Sequence, residues 1–249
     1  FTLPYPIVAK QSPRARFNMS PATGCSPLYV AFTNTSANTS GATYNWNLGN
    51  GNNATTANTN TIYADSGTYA VTLWVTNSNG SADDTVRNER VNLSPTALAA
   101  TNDTAGCHPY FVSFTNNSVN ATSYQWIFGD GNTSTVQTPT HTYNAPGNYT
   151  VTLIATNSAG CKDTFVIPNP INVYQTPVAQ FSTSATSGCA PLTVNFTNTS
   201  TGTAGASYDW NFGDSTTSNV SNPTYTFTKP GTYSAVLTVT NSTGCLDTG

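Results

Sequence analysis

The side chains able to do chemistry in this 249-residue chain are few: ten carboxylates, two histidines and five cysteines. His108 precedes a proline at the start of an apolar run, and His141 lies in the segment PTHTY. No serine or cysteine can be placed beside a base as a nucleophile. No pair of carboxylates is spaced for acid–base work. Asp130 and Asp214 sit in matching turns, where a carboxylate accepts the turn's own hydrogen bonds or, alternatively, joins backbone oxygens around calcium. Calcium sites recruit several acidic ligands, and the first of the three matching turns has Asn50 instead. The turn role is therefore the expectation, with no metal, no cofactor and no enzymatic activity.

Seven basic residues, unclustered, and a net charge of −3 leave no basic footprint, which excludes nucleic acid as a partner. No apolar run reaches the ~18 residues of a membrane-spanning helix. Only 7% of the residues are charged, against about a quarter in ordinary globular proteins. Asn, Thr, Ser and Gly take up the difference, favouring strands and turns. Helix-forming runs are missing, so the class is all-β.

What must position these few groups is a threefold repeat. GCSPLYVAFTNTS begins at Gly24, GCHPYFVSFTNNS at Gly106 and GCAPLTVNFTNTS at Gly188. YNWNLGNG, YQWIFGDG and YDWNFGDS follow from Tyr44, Tyr124 and Tyr208, and each copy closes on a segment such as SGTYAVTLWVTNSNG. Leu28, Val30 and Phe32 alternate with Tyr29, Ala31 and Thr33, and Tyr69, Val71, Leu73 and Val75 alternate with Ala70, Thr72 and Trp74. That period marks strands with one buried face, and about seven of them per copy make a β-sandwich. Trp46, Trp126 and Trp210 are expected in the cores. Tyr69, Tyr149 and Tyr233 are expected to make corner hydrogen bonds.

YQWIFGDGNTS, PTHTYNAPGNYTVTLIATNSAG and GCAPLTVNFTNTS closely resemble PKD (polycystic kidney disease) domains. The first copy departs at WNLGNG, which lacks the Asp, and the third at WNFGDS, which lacks the second Gly. The resemblance implies three tandem immunoglobulin-like β-sandwiches in a rod. It also implies an extracellular spacer, an adhesion unit or an accessory domain of a secreted enzyme; the cysteine-bearing form resembles bacterial surface proteins. The expected divisions are 1–12 as an N-terminal donor strand and linker, then 13–94, 95–175 and 176–249, the last lacking its final strand.

Cys25, Cys107 and Cys189 open the copies; Cys161 and Cys245 close two of them, and Ser81 holds the closing position of the first. An immunoglobulin-like topology puts the opening cysteine, in a turn, and the closing cysteine at opposite poles. Strands of about eight residues span roughly 25 Å, while disulfide Cα atoms lie within about 7 Å. Pairs between neighbouring domains, Cys25–Cys161 and Cys107–Cys245, are preferred; pairs within a copy, Cys107–Cys161 and Cys189–Cys245, are the alternative. Disulfides imply an oxidising, extracellular compartment.

The second copy runs on past its closing cysteine as KDTFVIPNPINVY, whereas the third reads CLDTG, and the chain opens with FTLPYPIVAK. Phe1, Leu3 and Ile7 match Phe165, Ile167 and Ile171, so the strand missing from the third copy is carried at the front of the chain. The expectation is a filament or surface fibre in which Phe1, Leu3, Ile7 and Val8 of one molecule complete the third sandwich of the next. The partners are then copies of the chain itself. The rival is an adhesive module of a long covalent array that grips glycans or cell surfaces through Tyr29, Phe111 and Trp74. Among many N-x-S/T sequons, Asn34, Asn53, Asn120, Asn132, Asn195 and Asn219 are glycan candidates, open to intact-mass measurement.

Overall fold

The computed structural model describes residues 8–249, and all regular structure among them is β. The first repeat holds β1 (Phe17–Ser20), β2 (Thr23–Cys25), β3 (Leu28–Asn34), β4 (Thr43–Asn47), β5 (Asn53–Ala54), β6 (Thr59–Tyr63), β7 (Gly67–Thr76) and β8 (Ala82–Asn92). The second holds β9 (Ala99–Thr101), β10 (Ala105–Cys107), β11 (Tyr110–Asn116), β12 (Ser123–Ile127), β13 (Thr133–Ser134), β14 (Thr140–Tyr143), β15 (Gly147–Tyr149), β16 (Thr152–Thr156), β17 (Lys162–Val166) and β18 (Ile171–Tyr174). The third holds β19 (Phe181–Thr183), β20 (Leu192–Asn198), β21 (Ser207–Asn211), β22 (Thr217–Ser218), β23 (Thr224–Phe227), β24 (Val236–Thr240) and β25 (Leu246–Thr248).

Contacts divide the chain into two compact units, and the division passes through the second repeat. The first unit runs through Leu98 and takes in Asn117–Tyr124 and Ile154–Phe165. The second comprises Ala99–Asn116, Gln125–Leu153 and Val166–Gly249.

In the first repeat a three-stranded sheet, β1-β3-β6, faces a five-stranded one, β2-β8-β7-β4-β5. Of the residues read as inward-facing, Val30, Phe32, Val71, Leu73 and Val75 are buried, while Leu28 and Tyr69 are half-buried against the same core. Trp46 fills the space between the sheets, edge-on to Phe17 with ring centroids 5.1 Å apart. Its Nε1 donates to the Thr56 carbonyl at 2.9 Å. The expected tyrosine corners are present in all three repeats: the hydroxyls of Tyr69, Tyr149 and Tyr233 donate to the carbonyls of Asp65, Ala145 and Lys229, four residues back.

Strand β8 runs unbroken for eleven residues. Its counterpart in the second repeat is split into β17 and β18 around Pro168 and Pro170, which have no N–H to give a ladder. The second repeat accordingly has the sheets β14-β11-β9, β10-β18-β15 and β13-β12-β16-β17. The third has β19-β20-β23 and β22-β21-β24-β25; no counterpart of the β10-β18-β15 sheet occurs among its described residues.

Candidate functional site

Two features recur at the ends of the repeats: a joint that holds the entering chain, and a groove that the last strand covers. The joint rests on one asparagine per repeat, Asn77, Asn157 and Asn241. Each Oδ1 accepts backbone amides of its own turn, including those of Ser81, Cys161 and Cys245. Each Nδ2 donates to the carbonyl of the entering linker, at Gln11 (2.9 Å), Leu93 (2.6 Å) and Gln175 (2.6 Å). Four residues after each held carbonyl, the amides of Ala15, Ala97 and Ala179 donate to Asp83, Asp163 and Asp247. Sequence reasoning missed these residues, although TNSNG, TNSAG and TNSTG stand at the same place in each copy.

The disulfides belong to the joints. The Gly24 and Cys25 end of β2 lies parallel to Val91 and Asn92 at the end of β8. Leu93, the next residue, is held by Asn157, whose turn contains Cys161. Cys25 therefore meets Cys161, S–S 2.04 Å and Cα–Cα 5.6 Å. The second joint repeats this: Cys107 pairs with Tyr174, Asn241 holds Gln175, and Cys107 is bonded to Cys245. The within-copy alternative is not formed, because the opening cysteine lies beside the strand that leaves its sandwich. The opening cysteines Cys25 and Cys107 sit on short parallel strands, where a turn was expected. Cys189 is free and exposed.

The groove is in the third repeat. In the second repeat Ile171 and Val173 of β18 close the space over Tyr149 and Gly147, and both are buried. In the third, residues 232–235 form no strand, and a groove of about 700 Å³ lies open, lined by Phe181, Leu192, Val194, Phe196, Phe227 and Tyr233, with Gly188 and Cys189 on its rim. Phe227 is 9% exposed where Tyr63 and Tyr143 are at 0%. Of the residues expected to fill such a groove, Phe1, Leu3 and Ile7 lie outside the described residues, and Val8 is exposed.

In the first repeat the residue facing Tyr69 is Glu89, where the second repeat has Ile171 facing Tyr149. Glu89 is fully buried and neither carboxylate oxygen has a hydrogen-bond partner. Burial pushes its carboxyl above the ordinary value of 4.5, and burial, followed by the charge of Glu89, raises the nearby Tyr63 phenol. A folded-state acid with a raised pKa contributes full stability below the unfolded value and loses it as pH rises through the folded one. The first repeat is therefore expected to weaken as pH rises above about 4.5. Glu89→Gln should flatten that slope and Glu89→Ile should also raise stability at neutral pH. Denaturation midpoints across pH 4 to 8 check this, and an unchanged slope in Glu89→Gln contradicts it.

The turn carboxylates are engaged within their own repeats. Asp130 accepts from Asn132 and lies 2.7 Å from His141 Nε2. Burial pushes its carboxyl up, but the hydrogen bonds from His141 and Asn132 outweigh burial and hold it below its usual value. His141 in turn stacks on Phe128, ring centroids 4.2 Å apart. Asp214 accepts from Thr216 and from the Tyr225 hydroxyl at 2.7 Å, which lower its pKa. Asn50 does the same work as a donor to Thr61. Each pins its turn to the strand eleven residues on. Among the described residues no group of three or more His, Cys, Asp or Glu stands together.

Tyr29 and Trp74 are exposed on different sheets of the first repeat, and Phe111 is exposed on β11, so Tyr29 and Trp74 share no platform for a sugar chain. Of the sequon asparagines, Asn53, Asn120, Asn195 and Asn219 are exposed and Asn34 is half-buried. Asn132 is exposed but donates to Asp130.

Fold and joints together define a tandem array of immunoglobulin-like β-sandwich modules stapled at successive junctions. The model of the PKD domain matches residues 10–91, 92–171 and 174–249, and the chain belongs to the PKD domain family. It is 28% identical to human polycystin-1 over 191 residues, 74% of this chain and 4% of that protein. It is 40% identical to the pre-pro-metalloprotease PrtV of Vibrio cholerae over 72 residues, 29% of this chain and 8% of that protein. The crystal structure of the PKD1 domain of PrtV is similar at 32% identity and a TM-score of 0.29, covering 33% of this chain and 99% of that one. The chain thus spans less than a tenth of these curated relatives. No helix among the described residues is long and apolar enough to cross a membrane.

Proposed function

We propose that the chain is a structural subunit of an extracellular filament or surface fibre, assembled head to tail by insertion of its N-terminal segment into the third repeat of a neighbour. The observation that carries this reading is the open groove of the third repeat together with a segment whose pattern matches the strand that covers the same place in the second. FTLPYPI stands against FVIPNPI at 165–171, where Ile167 and Ile171 are buried. An uncovered edge leaves backbone donors and acceptors unpaired, and a strand from another chain restores the ladder. Such a contact does not close on itself, so it propagates.

In this register Leu3 and Ile7 would take the places of the buried Ile167 and Ile171, and Phe1 that of the half-buried Phe165. Ala9 would take the place of the buried Val173, and Val8 that of the half-buried Asn172. Two disulfides support an oxidising, extracellular location.

Deleting residues 1–10 should leave monomers in light scattering and electron micrographs, and a peptide of that sequence should bind the truncated chain. Filaments that persist after the deletion, or native polymer that stays intact in SDS with reductant because the strand comes from the same polypeptide, overturn the reading.

A further inference from the structure

The proposed strand insertion fixes what the junction between copies must contain, and the inference below rests on it. At each internal joint five residues act in series. Cys25, Asn92, Leu93, Asn157 and Cys161 form the first; Cys107, Tyr174, Gln175, Asn241 and Cys245 form the second. The head of the chain already makes half of a third. Asn77 holds the Gln11 carbonyl, Asp83 holds the Ala15 amide, and Ser81 lies in the Asn77 turn. Gln11 is docked on the first repeat as Leu93 and Gln175 are docked on the second and third. Lys10, just before it, thus stands where Asn92 and Tyr174 lie beside an opening cysteine. The opening cysteine that has no such neighbour is Cys189, exposed at the rim of the groove.

We infer that the junction between copies repeats the internal joints residue for residue, bringing Cys189 of one copy against Ser81 of the next, so that this junction alone is held without a disulfide. Lys10 of the incoming strand pairs with Cys189, and Ala9 with Gly188, as Tyr174 and Val173 pair with Cys107 and Gly106. The Ser12 hydroxyl donates to the Ala190 carbonyl as Ser94 donates to Ser26. With serine opposite the thiol, copies separate by strand withdrawal, whereas repeats within a copy stay bonded. The internal junctions are permanent and the one between copies is reversible.

The test is Ser81→Cys in the 249-residue chain, incubated with oxidised glutathione. Thiol–disulfide exchange joins the two sulfurs across copies and releases two molecules of reduced glutathione. Non-reducing SDS gels should show a ladder of multiples of 26.2 kDa that collapses with reductant and is missing from Ser81→Cys combined with Cys189→Ser. The unsubstituted chain has one free thiol and can give no species beyond a dimer. The third and second repeats carry cysteine at this position, so the turn accepts it. Failure to ladder while the variant still forms head-dependent filaments, or a cross-link confined to monomers, overturns the joint and leaves strand insertion standing. Monomers from the unsubstituted chain overturn strand insertion itself and the joint with it.

Discussion

Trp210→Ala is expected to unfold the third repeat and to abolish capture of the head segment. Trp210 is fully buried, edge-on to Phe181 at 5.0 Å and tilted against Phe196 at 5.4 Å. Its Nε1 donates to the Val220 carbonyl at 2.9 Å. Truncating a buried Trp costs about 3–5 kcal/mol, a large share of the roughly 4–12 kcal/mol that an 80-residue domain commands. At about 4–8 °C per kcal/mol in a domain this size, the third-repeat transition should fall by more than about 10 °C. The groove rests on the same core, since Phe181 and Phe196 line it, so binding of a peptide of residues 1–10 should vanish with the fold. Trp126 gives a control on the hydrogen bond: it is just as buried, but its Nε1 has no partner. Trp210→Phe should therefore cost about 1 kcal/mol more than Trp126→Phe. Equal losses in that pair, or a third repeat that keeps its transition in Trp210→Ala, would contradict this account.

The sandwich cores were legible because their signal is periodic. Val30 and Phe32, or Leu73 and Val75, recur at every second position and alternate with less buried neighbours such as Ala31 and Trp74, and burial follows the alternation. The groove could be anticipated for a related reason: FVIPNPI in the second repeat reappears as FTLPYPI at the head of the chain. The joints could not be read in the same way. Asn77, Asn157 and Asn241 look like ordinary turn asparagines, and their second role depends on a linker 64 to 66 positions away. Strands β2 and β10 have three residues each, too few for any period, and their parallel pairing with the last strand appears only in the folded chain. Glu89 was hidden for the opposite reason. In a strand reading ADDTVRNERVN it looks solvated, yet the register with Tyr69 turns it into the slot that Ile171 fills in the second repeat.

Removing a staple should have the other large effect. The two disulfides close loops with sequence separations of 136 and 138. In the chain-entropy account a loop of 100 residues or more is worth about 4–5 kcal/mol against full unfolding. Paired replacement, Cys25→Ala with Cys161→Ala, avoids leaving a lone thiol and should lower the stability of the chain by that order. It should also let the first repeat unfold in a step of its own, because it no longer shares this constraint with the second. Guanidinium titration followed by tryptophan fluorescence measures both; an unchanged midpoint and no added transition would show that the hydrogen bonds Asn157 donates to Leu93 and Asp163 accepts from Ala97 already couple the two repeats. Cys161 and Cys245 are almost inaccessible to solvent, so mild reductant should leave the internal joints intact. In the proposed assembly no disulfide joins the copies, so reductant should leave it unaffected, whereas a competing peptide of residues 1–10 should disperse it.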